Sequence, residues 1–308
     1  MTSRQLQYVI TVAEEQSFST AAKKLFVSQP SLSEFIRKVE EELGYKLFDR
    51  TVTPLRLTIA GEVYVETAKK ILNLERMMTT RLHDLDESEF GRLSVGVSPY
   101  SSLLPSTLKR FFETLPNYEV YIEDSVGTAE RLRLLEQGDL DLCIQPSYET
   151  LSKKFAAEKI MLDSLLLAVP ADFDVNEQLL QVSTYDDDRG YPEILPEALR
   201  LTQGVPFLTV NSGKHLRQSV DSLFASVGIK PALKVISHKS ESCLDMAIAG
   251  VGATIVQHSL TKGKEALQNV RCYLIRHEKA YNTVSAVYVR GRYLSKAARV
   301  FIDAIKRA

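Results

Sequence analysis

Gln29, Pro30, Ser31, Ser33, Glu34 and Arg37 crowd the start of one short segment, SQPSLSEFIRKVEEELG from Ser28 to Gly44. A glutamine amide can pair with adenine N6 and N7, a serine hydroxyl can donate or accept, and an arginine can reach guanine or a phosphate. Held on one helix face, these groups can read base edges in a DNA groove. The segment supplies such a helix. Ser28 can accept a bond from an orphan first-turn N–H. Pro30 falls where a missing N–H costs nothing, and Gly44 follows the last periodic residue as a stop. Leu32, Ile36, Val39 and Leu43 recur at the spacing of one apolar face, with Phe35 on its flank. At about 100° per residue, Pro30, Ser33, Glu34 and Arg37 point away from that face, with Gln29 beside them.

The elements around this helix complete a motif. Leu6, Val9, Ile10 and Ala13 stripe a first helix. Ala21, Ala22 and Leu25 stripe a second, with Ser17 or Ser19 as its cap. The link Phe26 to Ser28 has the length of a helix-turn-helix connection. After Gly44, Leu47, Phe48, Leu55 and Leu57 surround Arg50, Pro54 and Arg56, which suits a two-stranded wing carrying two cations near phosphates. In such a motif the third helix enters the major groove. The bland alternative is a three-helix packing unit with a solvated outer face, and context has to decide.

Charge adds a condition. The formal net charge is −1, and residues 1–58 hold eight Lys or Arg against seven Asp or Glu. That falls short of the basic footprint of a nucleic-acid binder. Affinity then has to come from placed cations and from two or more domains on one DNA. The next segment offers the means. Thr58 can cap a helix free of proline and glycine from Glu62 to Ser88, about 40 Å long at 1.5 Å per residue. Tyr64, Ala68, Ile71, Met78, Leu82 and Leu85 follow a 4-3 spacing, with Glu75 as the polar lapse. Heptads of this kind pair with another helix; the alternative is a long helix packed on its own domain.

From Arg92 the periodicity changes to alternating strands and helices. Strands are expected at 93–97, 119–124, 140–144, 163–169, 207–210, 233–237, 253–256 and 286–290, and helices at 103–115, 128–137, 214–227, 241–249 and 295–307. Apolar strand runs alternating with helices predict a parallel α/β sheet covered on both faces, repeated as two lobes. Ligands of open α/β sheets bind beyond the carboxyl ends of strands. That rule selects Ser98, Tyr100, Ser101 and Ser102, then Ser125 and Thr128, then Gln145 and Ser147, and Asn211, Ser212 and Gly213 in the second lobe. Hydroxyls and free N–H groups at helix starts can receive a carboxylate. Taken singly, each of these is a helix cap; their convergence on one cleft is the functional expectation.

The first 61 residues resemble the N-terminal domain of the LysR-type transcriptional regulators. SFSTAAKKLFVSQPSLSEFIRKVEEELGYKLFDR followed by LRLTIAG carries the likeness at Phe18, Ala21, Ala22, Leu25, Ser28, Gln29, Pro30, Ser31, Ser33, Ile36, Glu40, Leu43, Gly44, Leu47, Phe48, Arg50, Leu57, Thr58, Ala60 and Gly61. The resemblance implies that Gln29, Pro30, Ser33 and Arg50 touch DNA. Two departures stand out: Glu34 is acidic, and the wing reads Thr51-Val52-Thr53 where relatives often place another arginine. The remainder is similar, with looser motifs, to the family's effector domain, which has the fold of periplasmic solute-binding proteins. The resemblance implies an α/β chain with an N-terminal all-α winged helix-turn-helix, joined by a long linker helix to a two-lobed effector domain. Its divisions are a DNA-binding domain at 1–58, a linker and dimerisation helix at 59–90, and an effector domain at 91–308. Within the last, lobe I is 91–161 with 266–308 and lobe II is 162–265, with crossings near Ile160–Asp163 and Lys264–Val270. Effector contacts are implied around 98–102, 128 and 211–213. The implied partners are double-stranded DNA with a pseudo-palindromic operator, a small organic acid or amino-acid-like effector, a second copy in a homodimer or homotetramer, and RNA polymerase.

Other chemistries find little support. Cys143, Cys243 and Cys272 are odd in number and lack C-x-x-C spacing, so neither a disulfide framework nor a zinc site is indicated. His83, His215, His238, His258 and His277 form no ligand spacing, and Asp186-Asp187-Asp188-Arg189-Gly190 lacks the wider spacing of a calcium loop. No nucleotide-binding or nucleophile-elbow motif is present. No cofactor, enzymatic activity or membrane contact is expected, and the N-terminus lacks the apolar core of a signal peptide, which suggests a cytoplasmic protein. The rivals are a solute-binding receptor on the same two-lobed fold, an enzyme built on the C-terminal part, and a regulator whose cleft takes no ligand.

Overall fold

A computed structural model describes residues 1–85, 90–147, 151–185, 190–211, 215–262 and 264–307. The chain divides into two compact units, residues 1–91 with 133–140, and residues 92–132 with 141–308.

In the first unit, α1 (Ser3–Glu15), α2 (Phe18–Lys24) and α3 (Gln29–Leu43) enclose a core of Val9, Val12, Ala21, Ala22, Leu32, Ile36 and Val39. The two alanines leave room for α2 to cross close to α3. Strands β1 (Phe48–Asp49) and β2 (Arg56–Leu57) pair antiparallel as the wing. Helix α4 (Ile59–Leu85) follows, with Thr58 Oγ1 accepting from Gly61 N at 3.0 Å. A Cβ on Gly61 would stand 2.0 Å from the Leu47 carbonyl oxygen, so only glycine lets α4 start against the wing.

The apolar stripe of α4 divides in two. Tyr64, Ala68 and Ile71 pack with Leu6 and Ile10 of α1. Glu75, the polar lapse in the heptads, has a local partner: Ser3 Oγ donates to both of its carboxylate oxygens at 2.9 and 3.0 Å. Because α1 begins at Ser3, its cover ends there. Beyond it Met78, Leu82 and Leu85 are exposed, together with Leu74.

The second unit is one 11-stranded sheet with helices. From Phe90 on, the elements in chain order are β3 (Phe90–Val97), α5 (Leu104–Thr114), β4 (Asn117–Glu123), α6 (Thr128–Gln137), whose end from Arg133 is grouped with the first unit, β5 (Leu142–Pro146), β6 (Phe155–Pro170), α7 (Val175–Gln181), β7 (Thr184–Tyr185), β8 (Pro192–Ile194), β9 (Pro206–Val210), α8 (His215–Ser226), β10 (Ala232–Ser237), α9 (Ser240–Ile248), β11 (Ala253–Gln257), β12 (Val270–Ile275), β13 (Tyr281–Val289) and α10 (Lys296–Lys306). Parallel pairs are present, β3 with β5 and β9 with both β10 and β11. The sheet as a whole is mixed rather than parallel, because β6 and β13 run between the lobes. Strand β6 pairs antiparallel with β13 from Phe155 to Ser164, then with β11 and β12 from Leu165 to Pro170.

Two cores result. Leu93, Val95, Tyr100, Phe111, Leu142, Ile144 and Phe301 centre the first lobe. Leu166, Leu179, Phe207, Phe224, Leu244, Val256 and Tyr273 centre the second. Strand β12 belongs to the second core, so the chain returns to the first lobe at Arg276–Ala280, past the crossing expected at Lys264–Val270. The apolar run of β12 carries no local mark of which lobe it joins; only its pairing with β6 and β8 decides it.

Candidate DNA-reading helix and ligand cleft

The reading face is set by the caps of α3. Ser28 Oγ accepts from Ser31 N at 3.3 Å and lies 2.7 Å from Ser31 Oγ. Pro30 sits in the first turn, and Gly44 closes the helix with φ +75°, a left-handed backbone that glycine adopts without a Cβ clash. Gln29, Pro30, Ser31, Glu34 and Arg37 are exposed and Ser33 is half-buried. Ser31 therefore belongs partly to the cap. Arg37 is gripped along the helix surface by Glu34 at 2.6 Å and by Glu41, and its donated bonds hold the Glu34 carboxyl below the usual range. Leu43, expected in the packed stripe, is instead exposed.

Glu40 has a role that sequence reasoning missed. It was one of three glutamates at the end of α3, yet its side chain is buried at 2% exposure. Its Oε1 accepts from the backbone N–H groups of Leu47 and Phe48 at 2.8 and 3.2 Å. Its Oε2 lies 3.4 Å from both Lys46 Nζ and Arg50 Nη2. The signal was available in its spacing: Leu32, Ile36 and Glu40 recur every four residues on one face. Arg50 also donates to Ser33 Oγ at 3.2 Å and lies 4.9 Å over the Phe18 ring. This fixes a half-exposed guanidinium beside the reading face. Gln29, Ser33 and Arg50 line one open groove with Val52, Thr53 and Pro54 of the wing. Arg56 stands exposed on β2, in register with Asp49.

In the second unit, a cavity of about 250 Å³ lies between the lobes. Ser98, Ser101, Ser125 and Thr128 line it from the first lobe, and His215, His238, Lys239, Ser240, Glu241 and Gln257 from the second. The other expected residues take different places. Tyr100 is fully buried in the first lobe's core. The Ser102 hydroxyl donates across the lobes to the Ser259 carbonyl at 2.9 Å, and Ser147 Oγ lies 2.5 Å from Ser285 Oγ. Gln145 is buried and does not line the cavity. Asn211 Nδ2 approaches His238 Nδ1 at 3.4 Å. Ser212, Gly213 and Lys214 lie outside the described residues, as do Asp186 to Arg189.

Arg131 was not foreseen. It lines the cavity at 2% exposure. Its Nη1 donates to the Val126 carbonyl at 2.6 Å, and Nη2 to the Ser98 carbonyl at 3.3 Å and to Thr128 Oγ1 at 3.2 Å. The guanidinium thus ties the loops after β3 and β4 together and sets a fixed positive charge behind their hydroxyls. Three helices, α6, α8 and α9, present their first-turn residues Thr128, His215 and Ser240 to the same space. Helix starts carry partial positive charge. Nearby, Ser101 Oγ donates to Glu241 Oε1 across the lobes at 3.0 Å. At the crossing, Asp163 accepts from Ser259 N and Oγ at 3.0 and 2.7 Å, while burial pushes its carboxyl above the usual range.

The three thiols are buried, and burial pushes Cys143, Cys243 and Cys272 up to about 12, 11 and 12. Among the described residues no group of His, Cys, Asp or Glu is placed to hold a metal ion, and no helix is long and apolar enough to cross a membrane.

Comparison with known proteins matches both units. The family described as "LysR substrate binding domain" matches residues 86–308, and that described as "Bacterial regulatory helix-turn-helix protein, lysR family" matches residues 3–62. The DNA-binding transcriptional dual regulator OxyR of Escherichia coli (strain K12) is 33% identical, over 98% of this chain and 96% of that protein. The HTH-type transcriptional regulator BsdA of Bacillus subtilis (strain 168) is 28% identical, over 98% and 99%. The fold is similar to a full-length OxyR variant from Pseudomonas aeruginosa, with a TM-score of 0.71, 23% identity and coverage of 99% and 98%. It is also similar to full-length CbnR complexed with its target DNA, with a TM-score of 0.68, 22% identity and coverage of 100% and 99%.

Proposed function

Because the chain belongs to the LysR family of DNA-binding transcriptional regulators, we propose that it couples the binding of a small carboxylate between its lobes to the way α3 engages DNA. One observation carries the choice of ligand: the buried Arg131 charge and the starts of α6, α8 and α9 converge on a single cavity. Such a site favours an anion, and about 250 Å³ suits a small metabolite.

Gln29 and Ser33 contact base edges in this reading, and Arg50 and Arg56 contact phosphates. RNA polymerase is the machinery the bound regulator acts on. The weak positive charge of residues 1–58 calls for a dimer. Its seam is the exposed apolar face of Leu43, Tyr45, Ile59 and Val63, with Leu74, Met78, Leu82 and Leu85 further along α4. A redox-reactive thiol is disfavoured, since all three thiols are buried and burial raises their pKa values, whereas nucleophilic cysteines need lowered ones.

Thermal-shift measurement on the full chain with small carboxylic acids, each beside its neutral amide, tests the ligand class. At least one acid is expected to raise the melting temperature in a concentration-dependent way, and its amide is not. Stabilisation by the amides to the same degree, or by no acid at all, contradicts the reading.

A further inference from the structure

Glu34 places a negative charge in the second turn of α3, one turn on from Pro30 and next to Ser33. Its side chain is exposed, and Arg37 holds it from the next turn: Nε donates to Oε2 at 2.9 Å and Nη2 to Oε1 at 2.6 Å. Nη1 donates to Glu41 on the other side. Two acids and one base give this cluster a net charge of −1, so it adds nothing to the attraction for phosphates. Its geometry suits another task. The bonds from Arg37 fix both oxygens of Glu34 in position and leave each a lone pair. Three of the N–H groups of Arg37 are engaged, so one remains on each terminal nitrogen. The outward edge of the pair therefore offers an acceptor beside two donors.

A carboxylate carried into the major groove loses water, at a cost unless a donor replaces it. Guanine and thymine present no donor there. Adenine N6 is a donor, but the N7 acceptor beside it repels a carboxylate. Cytosine N4 is a donor with no acceptor of its own base next to it, and the guanine paired with it offers O6 and N7 to an arginine. We propose that Glu34 and Arg37 act as one unit that selects a C·G base pair in each half-site, with Glu34 accepting from cytosine N4 and Arg37 donating to O6 and N7 of the paired guanine. The inference rests on the entry of α3 into the major groove and goes beyond it by assigning one base pair to two side chains. Gln29 stands at the start of α3, more than one turn away, and so meets a different base pair.

The test is selection of bound duplexes from a random double-stranded library by the full chain, read by sequencing. The parent is expected to favour C·G over the other pairs about tenfold at one position of each half-site, the discrimination of a good base contact. Glu34→Ala should flatten that position, leave the others as in the parent, and bind random DNA at least as tightly, because a negative charge near the phosphates is gone. Glu34→Gln should turn the preference there to A·T, since an amide meets adenine N6 and N7. Arg37→Ala should weaken the preference at the same position. Both side chains are exposed, so all three variants are expected to melt with the parent. Gln29→Ala reports on α3 as a whole and should relax a different position. A base profile unchanged in Glu34→Ala overturns the proposal and makes the acid a solvated partner of Arg37. Relaxation of two different positions by Glu34→Ala and Arg37→Ala also overturns it, as does an A·T pair at the affected position in the parent. In each of these cases an effect of Gln29→Ala leaves the base-reading role of α3 standing. A profile changed by none of the substitutions overturns both.

Discussion

Arg131→Ala is expected to lower the melting temperature of the C-terminal unit by about 6–12 °C and to weaken the cleft's carboxylate ligand more than tenfold. The guanidinium is buried and donates to the Val126 and Ser98 carbonyls and to Thr128 Oγ1. Truncation leaves these acceptors without their charged donor, a loss of about 3 kcal/mol for charge-assisted bonds inside a fold. In a unit of about 200 residues each kcal/mol moves the midpoint about 2–4 °C. The ligand effect is separate, because the loops after β3 and β4 lose both their cross-link and the fixed charge behind their hydroxyls. Arg131→Lys divides the two effects. It keeps a positive charge but cannot span two carbonyls in a planar fork. It should recover part of the ligand affinity and less than half of the lost stability. Calorimetric melting and ligand titration of the three proteins check this. A lysine variant as stable as the parent would show that the geometry of the fork is unimportant.

Glu40→Ala is expected to destabilise the N-terminal unit by about 2–4 kcal/mol, the cost of leaving the buried Leu47 and Phe48 N–H groups without an acceptor. The same substitution releases Arg50 from one of its three holds, leaving only Ser33 Oγ and the Phe18 ring. A mobile wing and a mobile arginine both have to be ordered on binding, at a cost in entropy. DNA affinity is therefore expected to fall about tenfold on operator and on random DNA alike. Glu40→Gln keeps one acceptor oxygen for the two N–H groups and gives up the charge, so it should fall between alanine and the parent in stability. Urea titration and a binding isotherm on both kinds of DNA read these effects. Should Glu40→Ala match the parent in stability, the wing is held by something other than this carboxylate.

The readable parts of the sequence were those whose causes are local. Ser28, Pro30 and Gly44 mark both ends of α3 because caps and stops act within one turn, and the structure places the helix at Gln29–Leu43 with Ser28 as its cap. Thr128–Gln137 was expected as a helix and is α6. Glu40 was hidden by its neighbours, since Glu41 and Glu42 are solvated and a run of three acids reads as surface. Arg131 was hidden because its role depends on two loops that meet only in the folded lobe. Gln257 ends an apolar run and looks like a strand terminus until the fold sets it against the cleft. Tyr100 errs in the other direction: a phenol among three serines, Ser98, Ser101 and Ser102, looks exposed, yet it fills the first lobe's core. The expectation of parallel pairing throughout the two lobes failed in part because β6 serves both lobes, and antiparallel pairing follows from strands that cross and return.

The central claim is that the cleft and α3 are energetically coupled, so that ligand and DNA each change the other's affinity. Coupling of this kind is reciprocal, and typical values lie at about 5–150-fold. The direct measurement is the dissociation constant of the full chain for its mapped operator with and without saturating ligand, together with that of the ligand with and without operator. The two ratios are expected to be equal and to differ from one by about fivefold or more. Operator affinity unchanged at saturating ligand would mean that the cleft does not control the DNA-reading helix.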